Sequence, residues 1–386
     1  MTATVSLPVA DGGVETVTLS GAPRVESVGR WTRTAYAAAH VVSDPLANND
    51  PWLDTSLDWD RTLAFREHLW SLGLGVAEAM DTAQRGMGLD WNTSLELIGR
   101  STEIARRGGH LIASGAGTDH LIPDSTTTVD DVIAAYEMQC EAVESAGSRV
   151  ILMASRALAK VADGPDDYDR VYSRVIGGLS QPAILHWLGE MFDPALLGYW
   201  GSYDHMTAMQ TCLDVVSSNS SKVDGIKISL LSAEKEIAMR RRLPEGVKMY
   251  TGDDFNYPEL IAGDDCGFSD ALLGIFDPIA AAASRALSHL GSKDLAAYHE
   301  TFAPTVPLSR HIFKAPTRFY KTGVVFLAYL DGHQDHFTMV GGQESARSTC
   351  HLADIVRLAN DARLFADPER TAARVRAAMA VRGVEQ

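Results

Sequence analysis

The sequence predicts an α/β fold: a (β/α)8 barrel with an N-terminal β-hairpin and appended C-terminal helices. Eight short apolar runs alternate with segments of helical periodicity, at residues 35–42, 74–80, 110–115, 149–154, 182–187, 223–228, 247–251 and 268–273. Parallel strands that are buried on both faces form such near-continuous runs. Eight strand–helix units favour a closed barrel over an open sheet. No nucleotide-binding GxGxxG or GxxxxGK[ST] motif follows any run, which argues against an open nucleotide-binding fold.

Helix signals lie between the runs. Thr93 and Glu96 have the spacing of a capping box, and Thr128 is placed to cap a helix that ends at Gly147. Residues 278–290 would form the eighth barrel helix, and residues 293–330 and 348–381 would form the appended helices.

The N-terminal segment differs from the rest of the chain. Two short apolar stretches, residues 5–9 and 14–19, flank Ala-Asp-Gly-Gly, which indicates a β-hairpin. We therefore expect a hairpin extension over residues 1–30, a barrel over 31–291, and a C-terminal helical extension packed on the barrel over 292–386. A length of 386 residues is compatible with one barrel domain.

The composition argues against some classes of binding partner. The formal charge of −16 argues against nucleic acid and against anionic membrane surfaces. The N-terminus lacks the features of a signal peptide, and no apolar stretch reaches 18 residues. The four cysteines are widely separated in the sequence, which favours free thiols in a reducing compartment. We expect a cytoplasmic protein that acts on a small molecule, without nucleic-acid or membrane partners.

Lys227 is the first candidate for chemistry. It lies late in the sixth run, and the carboxyl ends of barrel strands carry the active site. Burial lowers the pKa of a lysine, and the neutral amine can attack a carbonyl to form a Schiff base. A structural lysine paired with a carboxylate is the alternative. Lys248 begins the seventh run and belongs to the opposite end of the barrel.

Several motifs resemble one family in order and spacing over residues 35–332. The chain resembles the dihydrodipicolinate synthase and N-acetylneuraminate lyase superfamily, as a divergent synthase-like branch. The motifs are Ile112-Ala-Ser-Gly-Ala-Gly117, Gln181-Pro-Ala-Ile-Leu-His186, Asp224-Gly-Ile-Lys227, Thr251-Gly-Asp-Asp254, and the segment 313–330 with Ala315, Pro316 and Lys321.

The resemblance implies a lysine Schiff base on Lys227 without a further cofactor, and assembly as a homodimer or homotetramer. It implies a class I aldolase or lyase, or a dehydratase, acting on a small hydroxylated keto compound that we expect to derive from a sugar. The family's catalytic tyrosine falls on His186, which would then transfer protons. Of the family's two threonines after the second strand, Thr82 remains and Ala83 replaces the other. Met191 stands where true synthases have an arginine.

Polar residues near the carboxyl ends of the runs are candidates for binding the substrate. Arg85 or Arg156 would replace the missing anion clamp, because arginine binds carboxylates and phosphates through two parallel hydrogen bonds. A surface salt bridge is the alternative for either arginine. The full set of candidates is His40, Thr82, Arg85, Ser114, Arg156, Glu190, Asp253 and Asp254.

Two other functional classes stay open. Clusters of imidazole and carboxylate groups are weak candidates for a divalent metal, at Asp204, His205, His333, Asp335 and His336. A metal-dependent barrel aldolase or isomerase is therefore one alternative. A non-catalytic barrel that binds a small ligand is the other, because several family residues are replaced.

Overall fold

The computed structural model describes residues 3–23 and 29–386. In chain order its strands are β1 (Thr4–Pro8), β2 (Val14–Thr18), β3 (Ala35–Ala38), β4 (Gly75–Glu78), β5 (Ile112–Ala116), β6 (Arg149–Leu152), β7 (Ala183–Leu188), β8 (Val223–Ser229), β9 (Lys248–Thr251) and β10 (Asp270–Leu273). The helices are α1 (Trp59–Ser71), α2 (Trp91–Gly108), α3 (Val129–Ser145), α4 (Arg156–Val161), α5 (Pro165–Gly178), α6 (His205–Ser218), α7 (Ala233–Arg240), α8 (Tyr257–Ala262), α9 (Ala280–Gly291), α10 (Leu295–Phe302), α11 (Thr305–Ile312), α12 (Tyr320–Asp331), α13 (Thr349–Asp361) and α14 (Pro368–Val381).

Contacts divide the chain into two units. The barrel unit comprises Arg33–Ala39 and Gly75–Gly274. The helical unit comprises Met1–Thr32, His40–Leu74 and Ile275–Gln386. The predicted division into three parts, at residues 30 and 291, stays a prediction.

The barrel unit contains the parallel strands β3 to β10. Neighbouring strands pair in chain order, and β10 pairs with β3 to close the barrel. Each strand overlaps one of the eight predicted apolar runs. The predicted (β/α)8 barrel is therefore confirmed. Its strands were recognisable in the sequence because burial on both faces leaves few polar positions in them.

Alternate residues of the strands fill the barrel interior. This core consists of Tyr36, Ala38, Ala77, Met80, Ala113, Ile151, Ile184, Tyr250 and Leu272, all of them buried. Because side chains alternate across a strand, residues two positions from a core residue also point inward. His186 follows Ile184 by two positions, and Lys227 pairs with Tyr250 in register. Both side chains therefore belong to the inner face.

An ion-pair network lies at the amino-terminal end of β6, β8 and β9. Asp224 accepts a hydrogen bond from the hydroxyl of Tyr250 at 2.6 Å and pairs with Arg149 at 3.1 Å and Lys248 at 3.3 Å. Lys248 therefore lies at the end of the strands opposite to their carboxyl ends. Gly225 is required beside this network, since a Cβ there would lie 2.6 Å from the carbonyl oxygen of Lys248.

Of the two helix caps predicted in the barrel unit, the structure has one as predicted and differs at the other. Thr128 and Asp131 form a capping box at the start of α3, and the prediction of a cap at Thr128 is confirmed. The prediction of a capping box that starts at Thr93 is wrong. Asp90 is the N-cap of α2, and its carboxylate accepts a hydrogen bond from the amide of Thr93. A carboxylate three residues earlier outcompetes the threonine because it bonds the exposed first-turn amides more strongly.

The helical unit contains the predicted β-hairpin, in which β1 pairs antiparallel with β2. Arg357 of α13 donates to Glu15 of β2 and to the carbonyl oxygen of Pro8 at 2.7 Å. Arg376 of α14 donates to the carbonyl oxygen of Thr4 at 2.6 Å. The hairpin is thus bonded to the last two helices. None of the helices within residues 3–23 and 29–386 combines the length and apolarity needed to span a bilayer.

Candidate active site

His186 and Lys227 lie side by side near the carboxyl ends of two neighbouring strands. His186 of β7 pairs in register with Lys227 of β8. Both residues are buried, with 1% and 7% of their surface exposed. Parallel strands place paired residues on the same face, so the imidazole and the amine share the barrel interior.

The environment of Lys227 acts on its pKa in two directions. Burial lowers the pKa of the amine below its ordinary value of 10.5, and the carboxylates of Asp81 and Asp254 raise it in part. The net effect is a lowered pKa, which favours the nucleophilic neutral amine. Gly252 makes room for this side chain, since a Cβ there would lie 2.8 Å from Cε of Lys227.

The imidazole of His186 has one bonded and one open nitrogen. Its Nε2 lies 3.3 Å from Oγ of Ser229, and its Nδ1 lies 4.0 Å from Oδ2 of Asp81. Within the described part of the chain, Nδ1 has no hydrogen-bond partner. Burial, followed by the charge of Lys227, holds the pKa of His186 well below its ordinary value of 6.5. The lowered pKa favours the neutral ring, in which one nitrogen carries no proton.

Asp81 is a site residue that the sequence analysis did not select. It starts a short 3-10 turn, Asp81–Ala83, shortly after β4. The signal that points to it is its position, since barrel strands carry catalytic groups just beyond their carboxyl ends. Its proximity to His186 and its effect on Lys227 are visible only in the folded chain.

A cavity of about 220 Å³ opens beside these residues. Its walls come from segments that follow β4, β5 and β6, and from β7 and the segment after it. Lys227 is not part of the lining, whereas His186, its partner in strand register, is. The lining residues are Asp81, Arg85, Gly117, Thr118, Asp119, Leu121, Ile122, Pro123, Met153, Ala154, Arg156, Ala157, His186, Leu188, Asp193 and Leu196.

Arg85 lines the cavity, but its hydrogen-bond donors are taken up by other groups of the protein. Its Nε and Nη2 donate to the two carboxylate oxygens of Asp119 at 3.1 and 2.7 Å, and its Nη1 donates to the carbonyl oxygen of Gly115 at 2.6 Å. Nη2 also donates to Gln139. Although burial raises the pKa of Asp119, Arg85 lowers it overall. The second N–H of Nη1 donates to the carbonyl oxygen of Ala79 at 3.4 Å, so this guanidinium joins three segments of the barrel unit and all five of its donors are used within the protein.

Arg156 lines the same cavity with a different set of partners. Its Nε donates to Asp193, and 45% of its side chain is exposed. Of the two predicted clamps, it is therefore the one with donors available.

The remaining candidates in the barrel unit have structural partners. Ser114 lies between the inward-facing Ala113 and Gly115, so its hydroxyl points out of the barrel and bonds to Ser148 at 2.8 Å. Its prediction as a substrate contact is corrected for this reason. Asp253 accepts hydrogen bonds from the amides of Phe255 and Asn256 at 2.9 and 3.1 Å and so shapes the turn after β9.

Three further candidates for binding the substrate are Thr82, Asp254 and Glu190. Thr82 is buried in the turn next to Asp81. Asp254 is buried and acts on the pKa of Lys227. Glu190 lies 3.1 Å from Nε2 of His205, whose Nδ1 lies 2.6 Å from Nζ of Lys235.

His40 belongs to the helical unit, where it forms a buried pair with Asp277. Its Nδ1 lies 2.8 Å from Oδ2 of Asp277, and its amide donates to the same oxygen at 2.7 Å. Arg66 donates to the carbonyl oxygen of His40. These bonds fix the backbone of His40 and the orientation of its ring.

The weak candidates for binding a metal ion each have other partners in the protein. Asp204 caps α6, while Asp335 pairs with Arg61 and with Arg374 at 2.9 Å. His333 lies 3.6 Å from Asp331, and His336 accepts from the amide of Thr338 at 3.2 Å. Among the described residues, no group of three or more His, Cys, Asp or Glu side chains is arranged to hold a metal ion.

A family model described as "Protein of unknown function (DUF993)" matches residues 5–384 of this sequence. The chain belongs to this family. The match extends from the first strand of the hairpin to beyond α14, so the hairpin and the C-terminal helices are part of what DUF993 members share. No curated protein sequence matches the chain.

Several solved structures with a similar fold are described as dihydrodipicolinate synthases or members of that family. YagE, a prophage protein of that family from E. coli K12 in complex with pyruvate, has a TM-score of 0.66 and 13% identity, covering 86% of this chain and 99% of its own. Dihydrodipicolinate synthase DapA-2 from Bacillus anthracis has a TM-score of 0.60 and 12% identity, covering 85% and 99%. A monomeric dihydrodipicolinate synthase variant has a TM-score of 0.62 and 13% identity, covering 86% and 97%. The predicted resemblance is confirmed, and at these identities it shows the fold.

Proposed function

We propose that this protein is a Schiff-base-forming lyase that acts on a small hydroxylated keto compound derived from a sugar. The observation that carries the proposal is the buried amine of Lys227 beside the buried imidazole of His186, near the carboxyl ends of their strands. Barrel enzymes place their chemistry at this end of the strands. YagE, which has this fold, was crystallised with pyruvate, a small keto compound, and this supports a carbonyl substrate here.

The first step joins Lys227 to the substrate. The neutral amine attacks the carbonyl carbon, and one amine proton moves to the carbonyl oxygen to give a carbinolamine. A second proton, taken up by that hydroxyl, lets water leave and gives the iminium ion. A lowered pKa of Lys227 increases the fraction of amine that can react. The carboxylates of Asp81 and Asp254 then stabilise the positive charge that the iminium retains.

The second step breaks the bond between the α and β carbons, counted from the iminium carbon. A base removes the proton of a hydroxyl on the β carbon, the carbon–carbon bond breaks, and its electron pair moves toward the iminium nitrogen to give an enamine, while the β carbon leaves as a carbonyl compound. His186 is the proposed base, because its ring is neutral and its Nδ1 is open toward Asp81. Asp81 would stabilise the imidazolium that forms. Loss of a hydroxyl group as water is the corresponding dehydratase reaction.

Sodium borohydride reduction tests the proposal. Reduction in the presence of a panel of hydroxy-ketones and keto sugar acids should add one substrate-derived group to Lys227, as located by peptide mass spectrometry. Lys248→Met is the matched control, because Lys248 is also a strand lysine but pairs with Asp224 at the opposite end. Lys227→Met should abolish both the adduct and turnover, while Lys248→Met should keep the adduct. Turnover with an unmodified Lys227 peptide would contradict the mechanism.

The assembly and the compartment are part of the proposal. We propose a homodimer or homotetramer in the cytoplasm, without nucleic-acid or membrane partners. The monomeric synthase variant among the structural relatives makes light scattering of the purified protein the direct test of assembly.

A further inference from the structure

Ser229 is the last residue of β8, two positions after Lys227. Because side chains alternate along a strand, both residues face the barrel interior. The buried Oγ of Ser229 lies 3.3 Å from Nε2 of His186 on the neighbouring strand. A Cβ on Gly252 would lie 2.3 Å from this oxygen and 2.8 Å from Cε of Lys227. The hydroxyl of Ser229 therefore lies beside both groups that carry the proposed chemistry.

The two ring nitrogens of His186 have different surroundings. Nε2 has the hydroxyl of Ser229 within hydrogen-bond distance. Nδ1 has no hydrogen-bond partner among the residues that the structure describes, and Oδ2 of Asp81, at 4.0 Å, lies beyond hydrogen-bond range. The bonds that the ring nitrogens make decide which of them carries the proton of a neutral imidazole.

The cost of burial favours the proton on Nε2. A buried N–H without an acceptor loses its hydration without compensation, and such groups are rarer in proteins than buried acceptors without a donor. On Nε2 the proton has an acceptor, the oxygen of Ser229, whereas on Nδ1 it would have none within hydrogen-bond range. Nδ1 is then the nitrogen that stays unprotonated.

Asp81 acts in the opposite direction, because its negative charge attracts the ring proton toward Nδ1. This attraction acts over 4.0 Å without a hydrogen bond, and Asp81 lines the cavity, where water weakens its field. The bond to Ser229 therefore outweighs the attraction of Asp81. If that bond is removed, the attraction of Asp81 remains and should move the proton to Nδ1.

We propose that Ser229 is a positioning residue for the proposed reaction: its hydroxyl oxygen accepts a hydrogen bond from Nε2–H of His186 and so keeps Nδ1 free to take the proton of the substrate hydroxyl. This inference rests on the proposed function. Ser229 forms no bond to the substrate and acts through His186. The same contact opposes a half-turn of the ring, which would put a carbon atom in the place of Nδ1.

Nuclear magnetic resonance of the full chain with 15N-labelled histidine tests the inference without a substrate. The protonated and unprotonated nitrogens of a neutral imidazole have well-separated 15N shifts, and the signals lost in His186→Gln assign the ring. At about pH 8, above the ordinary pKa of 6.5, the wild type should carry the proton on Nε2. Ser229→Ala should carry it on Nδ1.

Ser114→Ala is the matched control, because Ser114 is also a buried serine of a barrel strand but bonds to Ser148 outside the barrel interior. It should leave the proton of His186 on Nε2. A wild-type protein with the proton on Nδ1 would overturn the inference, and this result needs no variant. A proton that stays on Nε2 in Ser229→Ala would overturn it as well.

Kinetics separate this inference from the proposed function. On the keto compound that gives a borohydride adduct with Lys227, Ser229→Ala should lower kcat about 5- to 100-fold, as the loss of one hydrogen bond to a buried N–H predicts. The equilibrium amount of adduct should not change. Adduct formation with wild-type kcat in Ser229→Ala would refute the role of Ser229 and leave the Schiff base. Turnover without an adduct, with the proton on Nε2, would refute the Schiff base and leave the bond between Ser229 and His186.

Discussion

Oδ2 of Asp81 lies 4.0 Å from Nδ1 of His186, and the same carboxylate raises the pKa of Lys227. One acidic side chain from the loop after β4 thus lies near the imidazole of His186 and acts on the pKa of Lys227. Since the first contact involves a neutral imidazole, the pair gains a full charge–charge attraction only when His186 accepts a proton.

Asp81→Asn should shift the pH dependence of adduct formation to lower pH. Asp81 raises the pKa of Lys227, so its removal lowers that pKa further, and the reactive neutral amine then persists to a lower pH. The initial rate of borohydride trapping, measured against pH, gives the inflection. Asp193→Asn removes a cavity carboxylate that does not act on Lys227 and is the control. An unchanged or raised inflection in Asp81→Asn would contradict the assignment.

His186→Gln should separate covalent binding from catalysis. Glutamine cannot accept a proton at neutral pH, so kcat should fall about 10²- to 10⁴-fold. The equilibrium amount of Lys227 adduct should stay close to that of the wild type, since the amine is still present. His186→Tyr, which introduces a side chain with a hydroxyl that can exchange a proton, should retain more activity than His186→Gln. Full activity in His186→Gln would assign the proton transfer to another group.

Arg85→Met should destabilise the fold rather than change only substrate affinity. The substitution removes the buried guanidinium from the partly exposed carboxylate of Asp119, and losing hydrogen bonds to a charged group in this way costs about 1–3 kcal/mol of the free energy of unfolding. Arg156→Met breaks a half-exposed pair and should cost about 0–1 kcal/mol, which makes it the matched control. Urea denaturation at neutral pH measures both.

Arg85→Met should also change the acid limb of stability. The lowered pKa of Asp119 contributes stability that is present above its ordinary value of 3.8 and is lost as the pH falls through the lowered value. The variant lacks this contribution, so the gap between the two proteins should narrow in acid. A constant gap would mean that Asp119 is not linked to Arg85 in this way.

Glu236→Gln should become stabilising as the pH rises. Burial raises the pKa of Glu236 to about 8, and its carboxyl group accepts from Thr251 at 2.9 Å and Ser269 at 2.7 Å. Because the folded protein holds a proton there that the unfolded chain releases above about pH 4.5, the free energy of unfolding falls between pH 4.5 and 8. Glutamine lacks that dependence: its amide oxygen can accept from one of the two hydroxyls, and its NH2 can donate to the oxygen of the other.

The expected gain for Glu236→Gln at pH 8 relative to pH 4.5 is on the order of 3–5 kcal/mol, measured by urea denaturation at both values. Glu234→Gln, an exposed change on the same helix, is the control. A pH-independent difference between Glu236→Gln and the wild type would show that Glu236 is ionised in the folded protein.

The position of a residue along its strand was predictable, whereas the direction and partners of its side chain were only partly so. Lys227 was assigned correctly to the carboxyl-terminal half of its strand and Lys248 to the start of the next. Ser114 was assigned to the right strand but to the wrong face, because a single residue of register separates the barrel interior from its exterior. Ala113 and Gly115 take the inward positions instead.

The choice between Arg85 and Arg156 shows most clearly what the sequence could not predict. Both are arginines that follow barrel strands, and nothing in their local sequence separates them. Asp119 and Gln139, which saturate Arg85, lie 34 and 54 residues away along the chain. The pairing therefore depends on β4, β5 and α3 coming together.

The sequence by itself determined the barrel, the hairpin and the place of Lys227, because apolar runs, turn residues and strand ends are local patterns. Only the tertiary structure decided that Asp81 reaches His186, that Arg85 is saturated, and that Arg156 keeps donors available. These facts depend on distances between side chains from different strands. Such distances arise when the barrel closes, and no local pattern encodes them.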